Sequence, residues 1–232
     1  MRKLLLFLLM SIAIGMTGCL KDDIDTIALP FSEIPKGEVP EEIKNPFNGM
    51  MPIYEGIDPP DITGKFVIKP NKLVYSSDGM VEPDEGFYDI YLSFQDQTAV
   101  GSASFSQKEG LSTTEASDIS VVGSGSNFTA YIIANTDVLT YDNNQILREA
   151  TSKMATVISG EATDAGIENM RYAVVLLEKY DPYNVLMDVN TYRVFKDGDG
   201  LAEKTEWSKM AIDDAKCQLH ICTESLKTKK MK

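Results

Sequence analysis

The chain has 232 residues, 43% of them apolar, and its 35 acidic against 22 basic side chains give a formal charge of −13. That length suits one domain with an extension, and the apolar share is ample for one core. The acidic balance argues against nucleic acid or polybasic-lipid contact, which requires clustered Lys and Arg. It fits an acidic, self-repelling exterior, and it permits cationic partners or divalent ions without implying them.

In chain order, residues 1–18 read as an export leader. Arg2 and Lys3 open it, residues 4–14 are apolar, and small residues follow. About eleven apolar residues make a secretory h-region and fall short of a bilayer core of roughly 30 Å. Met16-Thr17-Gly18-Cys19 then resembles the lipobox of bacterial lipoproteins, with Met16 where Leu is commoner. The resemblance implies diacylation of Cys19, cleavage before it and acylation of the new amine. Three acyl chains, at about 0.8 kcal/mol per buried CH₂, hold a protein on a membrane effectively for good. Lys21, Asp22 and Asp23 resemble the export signal that sends Bacteroidetes lipoproteins to the outer face of the outer membrane, a reading favoured over a solvated charge run. Asp25-Thr26-Ile27 is similar to a short O-glycosylation motif of the same phylum, which would make Thr26 the acceptor.

Seven of the ten prolines fall between residues 30 and 60, with acids scattered among them. Frequent proline favours extended, semi-stiff chain, so residues 19–46 read as a lipidated, acidic tether. Residues 47–62 are richer in apolar groups and read as a lead-in that packs on the domain.

From residue 64 the pattern turns to period two with β-branched and aromatic side chains. Strands are expected at 65–68, 72–76, 87–95, 99–107, 118–122, 128–135, 154–162, 170–179 and 191–195. Turn clusters separate them, such as Ser77-Asp78-Gly79, Gly123-Ser124-Gly125-Ser126-Asn127 and Asp197-Gly198-Asp199-Gly200. In residues 87–94, Tyr88, Ile90, Leu92 and Phe94 share one face, while residues 172–177 are apolar on both. This pattern makes the domain, residues 47–203, all-β: an antiparallel up-and-down barrel, or alternatively a β-sandwich. A partial apolar stripe through Trp207, Met210, Ala211, Asp214, Cys217 and Ile221 suggests a short C-terminal helix in a tail spanning residues 204–232, which ends in the one basic cluster.

Gly64-Lys65-Phe66 opens the first strand as Gly-x-aromatic. Residues 155–179 read as repeated up-and-down strands. On these features the stretch 56–200 resembles uncharacterised Bacteroidetes lipoproteins with calycin-like barrels of the lipocalin and avidin type. Phe66 stands where such barrels usually carry Trp, and the later lipocalin motifs are missing, so the resemblance implies a fold and assigns no ligand-binding residue.

Catalytic signatures are weak. Asp197-Gly198-Asp199-Gly200 opens like an EF-hand loop, yet the twelfth position is Ser208 rather than Glu, and a tight turn explains the run. Residues 123–127 are glycine-rich, but a strand follows them where a phosphate loop needs a helix. Glu82, Asp84, Glu85 and Asp89 form the densest acidic patch, which reads as a solvated loop or as paired hydrolytic carboxylates. His220 is the single histidine, with no nucleophile elbow near it. Cys217 and Cys222 leave three readings open: a disulfide, free thiols, or a trio of metal ligands with His220. Tyr54, Tyr75, Tyr88, Tyr91, Tyr131, Tyr172, Tyr180, Tyr183, Tyr192 and Trp207 are wall or core residues, or line a pocket for a glycan or lipophile.

The expected protein is therefore lipid-anchored at Cys19, on the outer membrane and exposed at the cell surface. It is expected to be non-enzymatic, without cofactor, metal or nucleic acid, and to bind a small lipophilic or glycan-like ligand in its barrel mouth. The alternative is a structural module with a filled barrel that docks onto an envelope protein. A hydrolase using acidic loops is a third class.

Overall fold

The structure, a computed structural model, describes residues 47, 49–142 and 144–206. The expected leader, the tether with Cys19, Lys21, Asp22, Asp23 and Thr26, and Trp207, Cys217, His220 and Cys222 lie outside the described residues.

The described chain is all-β. Its strands are β1 (Ile57–Asp58), β2 (Gly64–Ile68), β3 (Asn71–Ser76), β4 (Gly86–Phe87), β5 (Ile90–Gln95), β6 (Ser102–Glu109), β7 (Ser112–Ser124), β8 (Asn127–Tyr141), β9 (Leu147–Ala162), β10 (Gly166–Tyr180), β11 (Tyr192–Asp197) and β12 (Leu201–Lys204). Strands β2, β5, β6, β7, β8, β9 and β10 hydrogen-bond in that order, and β12 joins β10 back to β2, so the sheet closes on itself. The free edge of β10 is shared: residues 166–168 pair with β12 and residues 171–175 with β11. Strand β11 pairs with β3, and β3 with β4.

Strands β2 and β3 are thus two halves of one path, as are β4 and β5, and β11 and β12. The breaks at Lys69-Pro70 and at residues 198–200 face each other, with the Gly198 N–H donating to the Pro70 carbonyl at 2.8 Å. Sequential paths are neighbours throughout, which gives an antiparallel, up-and-down, barrel-like ring. A sandwich would need two separate sheets with open edges. Closure instead satisfies those edges.

Strands are present at all nine expected places, several of them longer than the sequence suggested, and the one expected at 87–95 is interrupted at residues 88 and 89 and divided between β4 and β5. Strand β12 was not expected. Leu201-Ala202-Glu203-Lys204 is made largely of good helix formers, and the helical tail was placed from residue 204. Pairing on two sides, to β10 and β2, overrides that propensity, so Lys204 closes a strand. From residue 207 the expected helix lies outside the described residues.

Two apolar clusters follow from the alternation. The inner one fills one end of the ring with Phe66, Phe94, Phe105, Phe128, Ile158 and Ile167, among others. Phe94 lies 6.2 Å from Phe66 and 5.3 Å from Phe105, ring to ring. This end carries the Gly123–Asn127 hairpin. On the outer face, Val122, Tyr131, Val157, Ala173, Val175 and Val194 form a second cluster beneath the lead-in, with Phe47 and Met51 set into it. Strands β7 to β11 are therefore covered on both faces, which explains why residues 172–177 are apolar throughout.

The lead-in is held by its backbone. The Tyr54 N–H donates to Thr129 Oγ1 at 2.8 Å, Arg171 donates to the Met50 carbonyl, and β1 pairs in parallel with the end of β7. The last contact requires glycine at residue 56. Gly56 (φ +136°) and Gly123 approach so closely that a Cβ on Gly56 would lie 2.2 Å from the Gly123 carbonyl oxygen.

Candidate functional site

The end of the ring opposite the Phe128 cluster is open. The chain reverses there at Gly110-Leu111, at residues 142–146 and at the long β10–β11 connection. Between these turns lies a cavity of about 440 Å³. Its floor is the top of the inner core: Tyr172 stacks on Phe195 at 4.8 Å with a 10° interplanar angle, and Phe87 meets Phe195 edge-on at 5.1 Å.

Each wall arises from the inward face of a strand that changes character toward the mouth. On β6 the inward residues run Ala103, Phe105, Gln107, Glu109, apolar to polar, and the last two line the cavity. On β8, Phe128, Ala130, Ile132 and Ala134 give way to Thr136 and Val138. Thr136 bonds the Thr114 hydroxyl of β7 at 2.8 Å, which satisfies two buried side chains at once. Strand β9 adds Met154 and Thr156 to the wall. Ser152, buried opposite Thr136 on the same hairpin, has no hydrogen-bond partner for its hydroxyl among the described residues.

The β10–β11 connection covers one side with Val185, Leu186 and Met187. Asp181 holds it: its carboxylate accepts from the Val185 N–H at 3.0 Å and the Leu186 N–H at 2.8 Å, while Lys179 donates to the Met187 carbonyl at 3.0 Å.

Two charged side chains line the cavity, Arg193 from β11 and Glu109 from β6. Arg193 is already partnered. Its Nε donates to Ser76 Oγ at 3.2 Å and an Nη to Asp78 Oδ2 at 3.2 Å. The Asp78 carboxyl sits below the usual carboxylate range, held chiefly by the Ser76 hydroxyl and then by the Met80 N–H and Arg193, against the cost of burial. Through its carboxyl, Glu109 makes no hydrogen bond or ion pair among the described residues. Burial pushes its carboxyl up to about 7, and the charge of Arg193 offsets part of that rise. Burial, followed by the Glu109 charge, also pushes the Tyr172 phenol well up, and the phenol donates to Asn71 Oδ1 at 3.0 Å.

Of the aromatics singled out in the sequence, Tyr88 and Tyr172 reach this cavity. Tyr131 belongs to the outer cluster, Tyr75 and Tyr192 stack on each other at 5.6 Å, and Tyr180 and Tyr183 are exposed. Tyr141, Phe87 and Phe195 line the cavity without having been singled out, as do Glu109 and Arg193. The signal was the polar drift along one face of residues 103–109.

The other chemical candidates fall elsewhere. The acidic patch lies on the β3–β5 connection, where Asp89 pairs with Lys69 at 2.9 Å and Asp84 with Lys196 at 3.3 Å, and none of its four acids lines the cavity. Gly123–Asn127 is a hairpin turn between β7 and β8. Asp197 organises its own turn: Oδ1 accepts from the N–H groups of Asp199 and Gly200, both at 3.1 Å, and Oδ2 from the Lys69 N–H at 3.0 Å. Among the described residues no group of three or more potential ligands is placed to hold a metal ion. Asp197→Ala is expected to cost about 2 kcal/mol, since three part-buried hydrogen bonds to backbone N–H groups are lost. Added calcium is expected to leave the thermal midpoint of the unmodified protein unchanged. A calcium-dependent rise would reinstate the ion-binding reading of this loop.

In comparisons with protein-family models, curated proteins and solved structures, nothing matches this chain.

Proposed function

We propose that this is a non-enzymatic binding protein, anchored through a lipidated Cys19 on the outer face of an outer membrane, whose barrel mouth holds a small lipophilic or glycan-like ligand. The observation that carries the reading is the 440 Å³ cavity at one end of a ring packed solid at the other. Its volume lies in the range of small-molecule sites, and a mostly apolar wall with a few convergent polar groups is what such sites present. The address rests on the sequence alone, through the resemblance of residues 16–19 to a lipobox and of residues 21–23 to a surface-export signal. The calycin-like affinity of the domain belongs to the same proposal, supported by the up-and-down closure of the ring. The cavity has one carboxylate on its wall, and the paired acids that glycoside hydrolysis uses do not converge there.

A second reading, an envelope interaction module, draws support from the rim of the mouth. Tyr141, Ile146, Leu147, Tyr180, Tyr183 and Val189 are all exposed there.

Native mass spectrometry of the protein mixed with outer-membrane and culture extracts separates the two. A discrete small mass retained on the folded protein and lost on denaturation is expected. Repeated failure to retain any small mass, with a protein partner captured instead, would replace the carrier with the interaction module.

A further inference from the structure

We infer that the ligand of the mouth cavity is an organic cation, an amine carried on a compact apolar or aromatic body. The inference rests on the carrier reading and narrows it to one chemical class. It stands on the charge balance of the wall. Arg193 enters the cavity already paired with Asp78 at 3.2 Å and bonded to Ser76, so its charge is met by the protein itself. Glu109 has no such partner among the described residues. When ionised it leaves the site with one carboxylate in excess, half-buried on the cavity wall. An ammonium group placed beside it would supply the missing partner, whereas a ligand carboxylate would meet Glu109 as a like charge.

The rest of the wall favours the same class. Phe87, Tyr88, Tyr141, Tyr172 and Phe195 place five aromatic rings around one small volume, and rings of this kind attract a desolvated cation through their negative faces. The formal charge of −13 adds a long-range field of the same sign.

The titratable or charged groups facing Glu109 across the cavity are Arg193 on β11, Tyr172 on β10, Tyr141 at the end of β8 and Tyr88 before β5. Glu109 changes charge near neutrality. Burial holds its carboxyl at about 7, so cation binding should strengthen as pH rises through that value. The amine itself stays protonated throughout, as a lysine does.

The test is calorimetric titration of the full chain with three ligands of matched body: phenethylamine, 2-phenylethanol and 3-phenylpropionate. At about pH 8 phenethylamine is expected to bind roughly tenfold tighter than 2-phenylethanol, with 3-phenylpropionate weakest, and at about pH 5.5 the preference for the amine should shrink to what the aromatic wall alone supplies. Glu109→Gln should cut the preference at pH 8 to that same remainder and remove its dependence on pH. Tightest binding of 3-phenylpropionate would overturn the inference and make Arg193 the anchor. An amine preference left undiminished by Glu109→Gln, or one that ignores pH, would overturn it too. If none of the three binds while the extract experiment still yields a retained small mass, the cation is wrong and the carrier stands. If both experiments fail, the carrier reading falls with it.

Discussion

Truncating Phe128 to alanine is expected to cost the fold about 4 kcal/mol, among the largest losses any single side chain here can produce. Phe128 is 0% exposed and sits at the start of β8 in the closed end of the ring. Its two cross-strand partners are both glycines, Gly123 on β7 and Gly160 on β9. They have no side chains to lean into a vacated space. Nor can larger residues replace them cheaply, since a Cβ on Gly123 would lie 2.1 Å from the Asn127 carbonyl oxygen and one on Gly160 2.5 Å from Ile167 Cγ2. The void left by the ring therefore persists, and a cavity term adds to the lost transfer energy. The measurement is the denaturant midpoint with an unchanged m-value. A loss below about 1.5 kcal/mol would mean that the closed end repacks and is not the rigid plug described above.

Glu109→Gln is expected to stabilise the protein, and only at neutral to alkaline pH. The folded carboxyl lies at about 7 against an ordinary value of 4.5, so the folded state holds a proton that the unfolded chain gives up earlier. Stability from this group is complete below about pH 4.5, declines as pH rises, and is fully lost above about 7. Across that window the loss is on the order of 3 kcal/mol. Glutamine keeps the shape and remains neutral, so the variant should match the parent near pH 4 and exceed it at pH 8. Thermal or chemical unfolding at the two pH values reads the difference. Equal stability of the two proteins at pH 8 would mean that the carboxyl is solvated through the mouth. This unpartnered acid is a stability cost in the empty protein, a common property of residues that a binding site keeps for its ligand.

Much of the architecture was legible in the order of residues. Strict alternation in residues 87–94, β-branched runs such as residues 129–133, and turn clusters at residues 77–79 and 123–127 mark strands and reversals because side-chain direction has period two and glycine and asparagine tolerate turn geometry. The apolar lead-in at residues 47–62 could be told from the proline-rich sequence before it for the same local reason.

The site was not legible to the same degree. Glu109 ends a strand whose other face carries Ser104, Ser106 and Lys108, and nothing local distinguishes it from a surface acid. It is the ring closure that turns its face inward. The bulges in the β6–β7 and β7–β8 pairings shift the phase of alternation along β7, so a single period cannot be carried from one end of that strand to the other. Residue 193 comes opposite Ser76 only because β11 pairs with β3, 117 positions away in the chain. Composition, periodicity and turn chemistry, all short-range properties, determined that this chain forms an up-and-down β domain. Which inward face is plugged, which is hollow, and which acid is left without a partner was decided by long-range pairing, because burial and charge balance exist only after the strands have closed.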